Sequence, residues 1–176
     1  RGPFLAPRRS LRRSLQNGGE LLVWATRERK RKRRPLVLLC DISGSMEPYS
    51  RILLQFLYCF SNGLQNVEAF VFGTRLTRIT HHLKDRDVDA ALKAVHEDVV
   101  DFGGGTRIGE TLRTFNYFWS RRVLGQGAAV LVISDGWDRG EPRRLGAEMA
   151  RLQRSCHRLV WLNPLLGSPH YRPLTR

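Results

Sequence analysis

Two apolar runs constrain this chain more than anything else in it. Leu36-Val37-Leu38-Leu39-Cys40 ends on Asp41, and Ala128-Ala129-Val130-Leu131-Val132-Ile133 ends on Ser134-Asp135. A strand with one wet face alternates polar and apolar residues, whereas an unbroken apolar run reads as a strand covered on both faces, the situation of a parallel sheet. The other periodicities fill in the alternation. From Pro48 to Asn62 the residues Ile52, Leu53, Phe56, Leu57 and Phe60 recur at helical spacing with Gly63 as a stop. Val67 to Phe72 reads as a strand, Leu76 to Thr80 as a short one, Asp85 to Glu97 and Ile108 to Arg121 as helices. Pro142 to Cys156 is a helix with Leu145, Met149 and Leu152 on one face, and Leu159 to Leu162 a closing strand. Such a chain is predicted to be α/β, a doubly wound, mostly parallel sheet flanked by helices. Ligands in these sheets bind beyond the carboxyl ends of the strands, where the strand order reverses. Asp41 and Asp135 each stand at such an end.

At 176 residues and 41% hydrophobic content, the chain is the size of one domain able to bury roughly 70% of its unfolded surface. The net charge of +14 is uneven: residues 1–34 carry twelve Arg or Lys against Glu20 and Glu28, a net +10, leaving +4 for the remainder. The expected organisation is therefore a basic Arg-rich lead-in, 1–34, and an α/β domain, 35–176. Leu5, Leu11 and Leu15 are too sparse to predict a helix within 1–19, and Glu20 to Thr26 reads as a short strand or helix. The dense run Arg27 to Arg34 suits nucleic acid, lipid headgroups or an acidic protein surface. Aromatic residues do not interleave with its charges as single-strand binders need, which favours a solvated basic linker that only keeps the protein soluble over an anionic partner. No apolar stretch approaches the ~20 residues of a transmembrane segment, and the N-terminus lacks a signal-peptide layout. Cys40, Cys59 and Cys156 are odd in number, sit in apolar segments and have no metal or redox spacing, so buried reduced thiols and a cytoplasmic location are expected. His81, His82, His96, His157 and His170 are scattered in sequence and receive no metal or catalytic role.

Three separated fragments carry the candidate chemistry: Asp41-Ile42-Ser43-Gly44-Ser45, Gly103-Gly104-Gly105-Thr106 and Ser134-Asp135-Gly136. Ser43 and Ser45 follow a strand-end carboxylate by two and four residues, so a loop curling round one point turns three oxygens inward, with Gly44 supplying backbone freedom. Thr106 follows three glycines and precedes a helix. Each fragment also has an ordinary explanation: turn and cap formation around Asp41 to Ser45, a helix N-cap at Thr106, an Asx turn at Asp135-Gly136. Their combination favours a cation, because two strand-end aspartates facing one crevice repel each other and lose solvation. Two carboxylates and three hydroxyls are hard donors suited to Mg²⁺, with Mn²⁺ or Ca²⁺ compatible on ligand type. Glu47, Arg107, Trp137 and Asp138 lie near the same crevice in sequence and are candidate partner-binding residues, Trp137 as an aromatic anchor.

Asp-x-Ser-x-Ser, then Thr, then Asp resembles the metal-ion-dependent adhesion site of von Willebrand factor type A (VWA) domains. Asp41, Ser43, Ser45, Thr106 and Asp135 match that site one for one. The stretches Leu38 to Met46, Phe102 to Gly109, Ile133 to Gly140 and Trp161 to Leu165 are similar to the CoxE-like branch of these proteins. The resemblance implies a doubly wound sheet with one antiparallel edge strand, and a metal whose free position accepts a Glu or Asp from a protein partner. It further implies an adaptor acting with a MoxR-type AAA+ ATPase in metalloenzyme maturation, carbon monoxide dehydrogenase included. Such domains usually add another helix and strand after the equivalent of Trp161-Leu162-Asn163-Pro164, so these last elements are expected to be lacking here.

Enzymatic alternatives lack their residues. A haloacid-dehalogenase phosphatase needs a second Asp where Ser43 stands, no Gly-x-Ser-x-Gly elbow occurs, and the triple glycine is not followed by Gly-Lys-Ser/Thr. The expectation is a non-enzymatic binding module.

Overall fold

The structure, a computed structural model, describes residues 4–16, 18–19, 24–28, 33–84, 87–99, 103–125 and 127–167. The chain divides into two compact units, Arg1–Arg33 and Arg34–Arg176.

In the smaller unit, β1 (Phe4–Leu5) pairs antiparallel with β2 (Thr26–Arg27), and α1 spans Pro7–Gln16. A helix here corrects the sequence expectation of an irregular tail. The helix is held by hydroxyls rather than by the leucines that pattern analysis weighs. Ser10 and Ser14 are buried while Leu11 and Leu15 are exposed. The Ser10 hydroxyl accepts from the Ala25 N–H at 2.9 Å and donates to the Ala6 carbonyl at 3.2 Å. Most of the stretch expected to form a short strand or helix, and the centre of the basic run, lie outside the described residues.

The larger unit runs β3 (Leu36–Asp41), α2 (Glu47–Gly63), β4 (Val67–Phe72), β5 (Leu76–Arg78), α3 (Val88–Asp98), α4 (Ile108–Thr114), α5 (Ser120–Val123), β6 (Ala129–Ile133), α6 (Pro142–Ser155) and β7 (Arg158–Leu162). Its five strands are ordered β5-β4-β3-β6-β7, all neighbours parallel except the β4–β5 edge pair. The chain moves outward from β3 through β4 to β5, then returns to the other side of β3 for β6 and β7. The reversal of order falls between β3 and β6. Register pairs Cys40 with Ile133, which sets Asp41 and Ser134 side by side at the strand ends.

The central strands are apolar throughout because both faces are covered. Leu38, Cys40, Ala69, Val71 and Ile133 pack with Leu53, Leu54 and Leu57 of α2 and Val95 of α3. Val37, Leu39, Phe70, Phe72, Val130 and Val132 pack with Ile108 and Leu112 of α4, Phe115 and Leu152. Between α4 and α5 the helical path widens into a π turn, Phe115–Trp119, that buries Phe115 edge-on to Phe70 and leaves Tyr117 and Phe118 exposed. Sequence periodicity reads this stretch as one uniform helix, since a one-residue bulge barely disturbs the apolar spacing.

Two further expectations need correction. Cys59 is exposed on α2 rather than buried; Cys40 alone of the three free thiols is fully buried, with Cys156 half-buried. The histidines are not all scattered, because the turn after β5 carries His81 and His82 to the end of α3, where they meet Asp98. Among the described residues no helix is long and apolar enough to cross a membrane.

Candidate metal centre

The three sequence fragments converge at the switch point. Asp41 closes β3, fully buried, and its Oδ1 accepts the Ser43 N–H at 2.9 Å, curling the chain immediately beyond the strand. That curl continues as a 3₁₀ turn, Gly44–Met46, pinned by the fully buried Met46. The Ser43 and Ser45 hydroxyls lie 3.2 Å apart as a result. The other oxygen of Asp41 accepts the Ser134 hydroxyl at 2.6 Å, joining the ends of β3 and β6 directly.

Glycine is required where the first and second loops meet. The Gly44 N–H donates to the Gly104 carbonyl at 3.0 Å, the Gly103 N–H donates to the Ile42 carbonyl at 3.2 Å, and a Cβ on Gly44 would stand 2.9 Å from the Gly103 carbonyl oxygen. Gly103 itself has φ +75°, the left-handed region that favours glycine. Thr106 follows, buried on the wall of the cleft. Its alternative role as N-cap of α4 is taken by another residue. Asp138 accepts the Ile108 N–H at 3.0 Å and the Gly109 N–H at 3.4 Å, capping the helix from across the site, and also the Gly140 N–H at 2.9 Å. The Arg139 N–H fixes the Thr106 carbonyl at 3.0 Å.

Asp135 is fully buried at the end of β6, and the Asx turn expected there is present: Oδ1 accepts the Trp137 N–H at 2.9 Å, with Gly136 at φ +81°. The end of β7 braces this loop. Trp161 Nε1 donates to the Ser134 carbonyl and Asn163 Nδ2 to the Asp135 carbonyl, each at 3.0 Å.

The assembled cleft, about 520 Å³, is walled by Ser43 to Ser45, Gly103 to Thr106 and Trp137 to Arg139. Ser43, Ser45 and Thr106 therefore line the cleft, while the two buried carboxylates lie outside its lining. Burial pushes the Asp41 carboxyl above its ordinary range; hydrogen bonds from Ser134 and Ser43 oppose this, and the charge of Asp135 adds to it. Two buried carboxylates that interact, in loops that also carry three hydroxyls, are hard oxygen donors of the kind a divalent cation takes, so the residues present fit such an ion.

Of the four rim candidates, Trp137 and Asp138 line the cleft; Glu47 and Arg107 do not, both being exposed, with Arg107 paired to Glu110 at 3.4 Å. Sequence reasoning missed three residues. Ser134 orients Asp41, Asn163 braces Asp135, and Arg139 places its guanidinium 3.5 Å from where a Cβ on Gly105 would sit. Only the position of Ser134 beside a strand-end aspartate signalled any of them.

The whole chain, residues 1–176, matches the family described as VWA domain containing CoxE-like protein. The chain belongs to that family. Solved structures similar to this CoxE-like chain include proximal thread matrix protein 1 from the mussel byssus, at 16% identity and TM-score 0.51 over 74% of this chain and 38% of that one. Another is a von Willebrand factor type A protein from Catenulispora acidiphila, at 17% identity and TM-score 0.49 over 74% of this chain and 34% of that one. A further mussel structure, described as having a zinc-occupied MIDAS motif, matches at 15% identity and TM-score 0.45 over 74% and 38%. The CoxE-like chain thus spans well under half the length of these neighbours. Among curated proteins no match to the sequence is found. The mixed α/β architecture with its mostly parallel sheet is that of VWA domains.

Proposed function

We propose that the switch point of this CoxE-like VWA chain is a metal-dependent docking site for an acidic side chain of a protein partner, and that the chain is a binding module rather than an enzyme. The observation that carries this reading is the meeting of three separate loops at the carboxyl ends of β3 and β6, where Ser43, Ser45 and Thr106 wall one cleft and Asp41 and Asp135 are buried at the strand ends beside it. These five residues would hold the ion, Mg²⁺ by preference, with Mn²⁺ or Ca²⁺ compatible. What it supplies when bound is an electron-poor open position for an incoming Glu or Asp carboxylate.

The chain's own residues do the rest. Ser134 fixes the Asp41 carboxylate, the Gly44–Gly104 bond locks two loops together, and Asp138 holds the start of α4 so that Thr106 stays on the wall. Trp137 contributes apolar surface at the rim. Arg139, on the same rim, attracts a carboxylate at longer range. Glu47 and Arg107 act as outlying partner contacts.

Family membership supports the finer assignment: an adaptor, residues 35–176 preceded by the basic lead-in 1–34, acting with a MoxR-type AAA+ ATPase in metalloenzyme maturation such as that of carbon monoxide dehydrogenase. Three free thiols among the described residues suit a reducing, cytoplasmic setting. The test is capture of a MoxR-type ATPase by immobilised wild type and Asp41→Ala, each in Mg²⁺ or EDTA. Capture only by wild type in Mg²⁺ is expected, and capture indifferent to both changes would sink the reading. Binding that instead tracks DNA and collapses with salt would point to the basic run.

A further inference from the structure

We propose that His81, His82 and Asp98 form a second cation site, suited to a borderline divalent ion of the zinc class rather than to Mg²⁺. Their donor atoms all lie within 4.8 Å of one another. His82 Nε2 is 3.1 Å from Asp98 Oδ2, and the two imidazole rings are neighbours, with centroids 3.8 Å apart and planes tilted by 40°. A tetrahedral zinc ion with bonds of about 2.0–2.1 Å holds its donor atoms roughly 3.4 Å apart. Closing the site thus requires small rotations of three side chains that are exposed or half-buried and have room to make them.

The backbone under these side chains is already fixed. Ile79 and Leu83, flanking the pair, are fully buried. Thr80 is buried, and its hydroxyl accepts the Ala69 N–H at 2.9 Å and donates to Glu68 Oε2 at 2.8 Å. The Leu83 carbonyl accepts Asn62 Nδ2 of α2 at 2.8 Å. Donors mounted on such a braced turn need no ordering of the chain on binding.

Local electrostatics favour a cation as well. Asp98 is the last residue of α3, so the site lies where unsatisfied helix carbonyls favour positive charge. Lys84, on the same turn, is near enough to Glu68 for its charge to help hold that carboxyl down. Two imidazole nitrogens and one carboxylate suit zinc, nickel, copper or cobalt rather than hard Mg²⁺. Three protein ligands leave a fourth position for water or a side chain from another molecule. The site is on the turn after the edge strand β5, separated from β3 by β4, and so independent of the switch point.

Cobalt, a spectroscopic stand-in for zinc, tests this. Chelator-treated protein, held in excess Mg²⁺ at neutral pH, is titrated with Co²⁺ and then back-titrated with Zn²⁺. Expected is a visible absorption band of low-coordinate cobalt saturating at one ion per chain and abolished by Zn²⁺. His82→Ala, His81→Ala and Asp98→Asn should each weaken binding by more than about tenfold, since even outer-shell losses cost ten- to a hundredfold, whereas Asp41→Ala should leave it unchanged. Circular dichroism checks that the variants fold. Absence of the band, or a band that survives all three substitutions, overturns the proposal.

Discussion

The switch point and the corner after β5 are built in opposite ways. At the switch point the carboxylates are buried, each loop is tied to the next through backbone hydrogen bonds, and all the candidate donors are oxygens. At the His81–His82–Asp98 corner the donors are exposed or half-buried, and two of three are nitrogens. Burial makes the first arrangement intolerant of change, because a buried carboxylate without positive charge is costly. The second is merely convenient when empty, since exposed imidazoles and a carboxylate are comfortable in water. The contrast teaches that a site's demands on the fold follow from the depth of its charges, and single substitutions should reveal the difference.

The largest effect is expected from Asp41→Ala, with total loss of metal-dependent partner capture, while His82→Ala leaves capture intact; paired pull-downs in Mg²⁺ measure both. Gly44→Ala comes next. Its Cβ meets a backbone oxygen at 2.9 Å, so the two loops must part, costing about 1–3 kcal/mol of overpacking and strain in chemical denaturation and weakening metal binding. Gly146→Ala in α6, where nothing lies within 4 Å, should instead stabilise by about 0.5–1 kcal/mol.

Legibility in the sequence follows the same division. β3 and β6 were readable because double burial leaves an unbroken apolar run, and the three loops that meet beyond them because strand-end aspartates beside glycines and hydroxyls stand out in combination. The assignment of Asp138 to the α4 cap was hidden, since its partners Ile108 and Gly109 are thirty and twenty-nine residues away and meet it only in the folded chain. The histidine corner was hidden likewise: His82 and Asp98 stand sixteen residues apart, on a turn and a helix end whose meeting no periodicity announces. Helix α1 escaped because its contacts are made by Ser10 and Ser14, which pattern reading counts as polar surface.

A smaller effect should follow Asp138→Ala. Loss of the cap costs about 1 kcal/mol in thermal unfolding, and the freed start of α4 loosens Thr106, so metal affinity falls where a purely surface residue would leave it unchanged. Smallest is the pH response of the Glu68–Arg78 pair on the β4–β5 edge. Burial works to raise the Glu68 carboxyl, but the Arg78 and Thr80 hydrogen bonds and the charges of Arg78 and Lys84 outweigh it, and the net shift is downward. The pair's contribution is therefore present above the ordinary glutamate range and is lost as pH falls through the folded-state value. Being partly exposed, it should amount to about 0.5–1 kcal/mol. Glu68→Gln should flatten that part of the acid-stability curve.

The central claim is tested most directly by titrating Mn²⁺ into wild type, Asp41→Ala and the His81→Ala/His82→Ala double variant, with free Mn²⁺ read by electron paramagnetic resonance. One ion per chain displaced by Mg²⁺ is predicted for wild type and for the double histidine variant, with none in Asp41→Ala. Equal binding in wild type and Asp41→Ala, or no Mg²⁺-displaceable binding in wild type, would contradict the account.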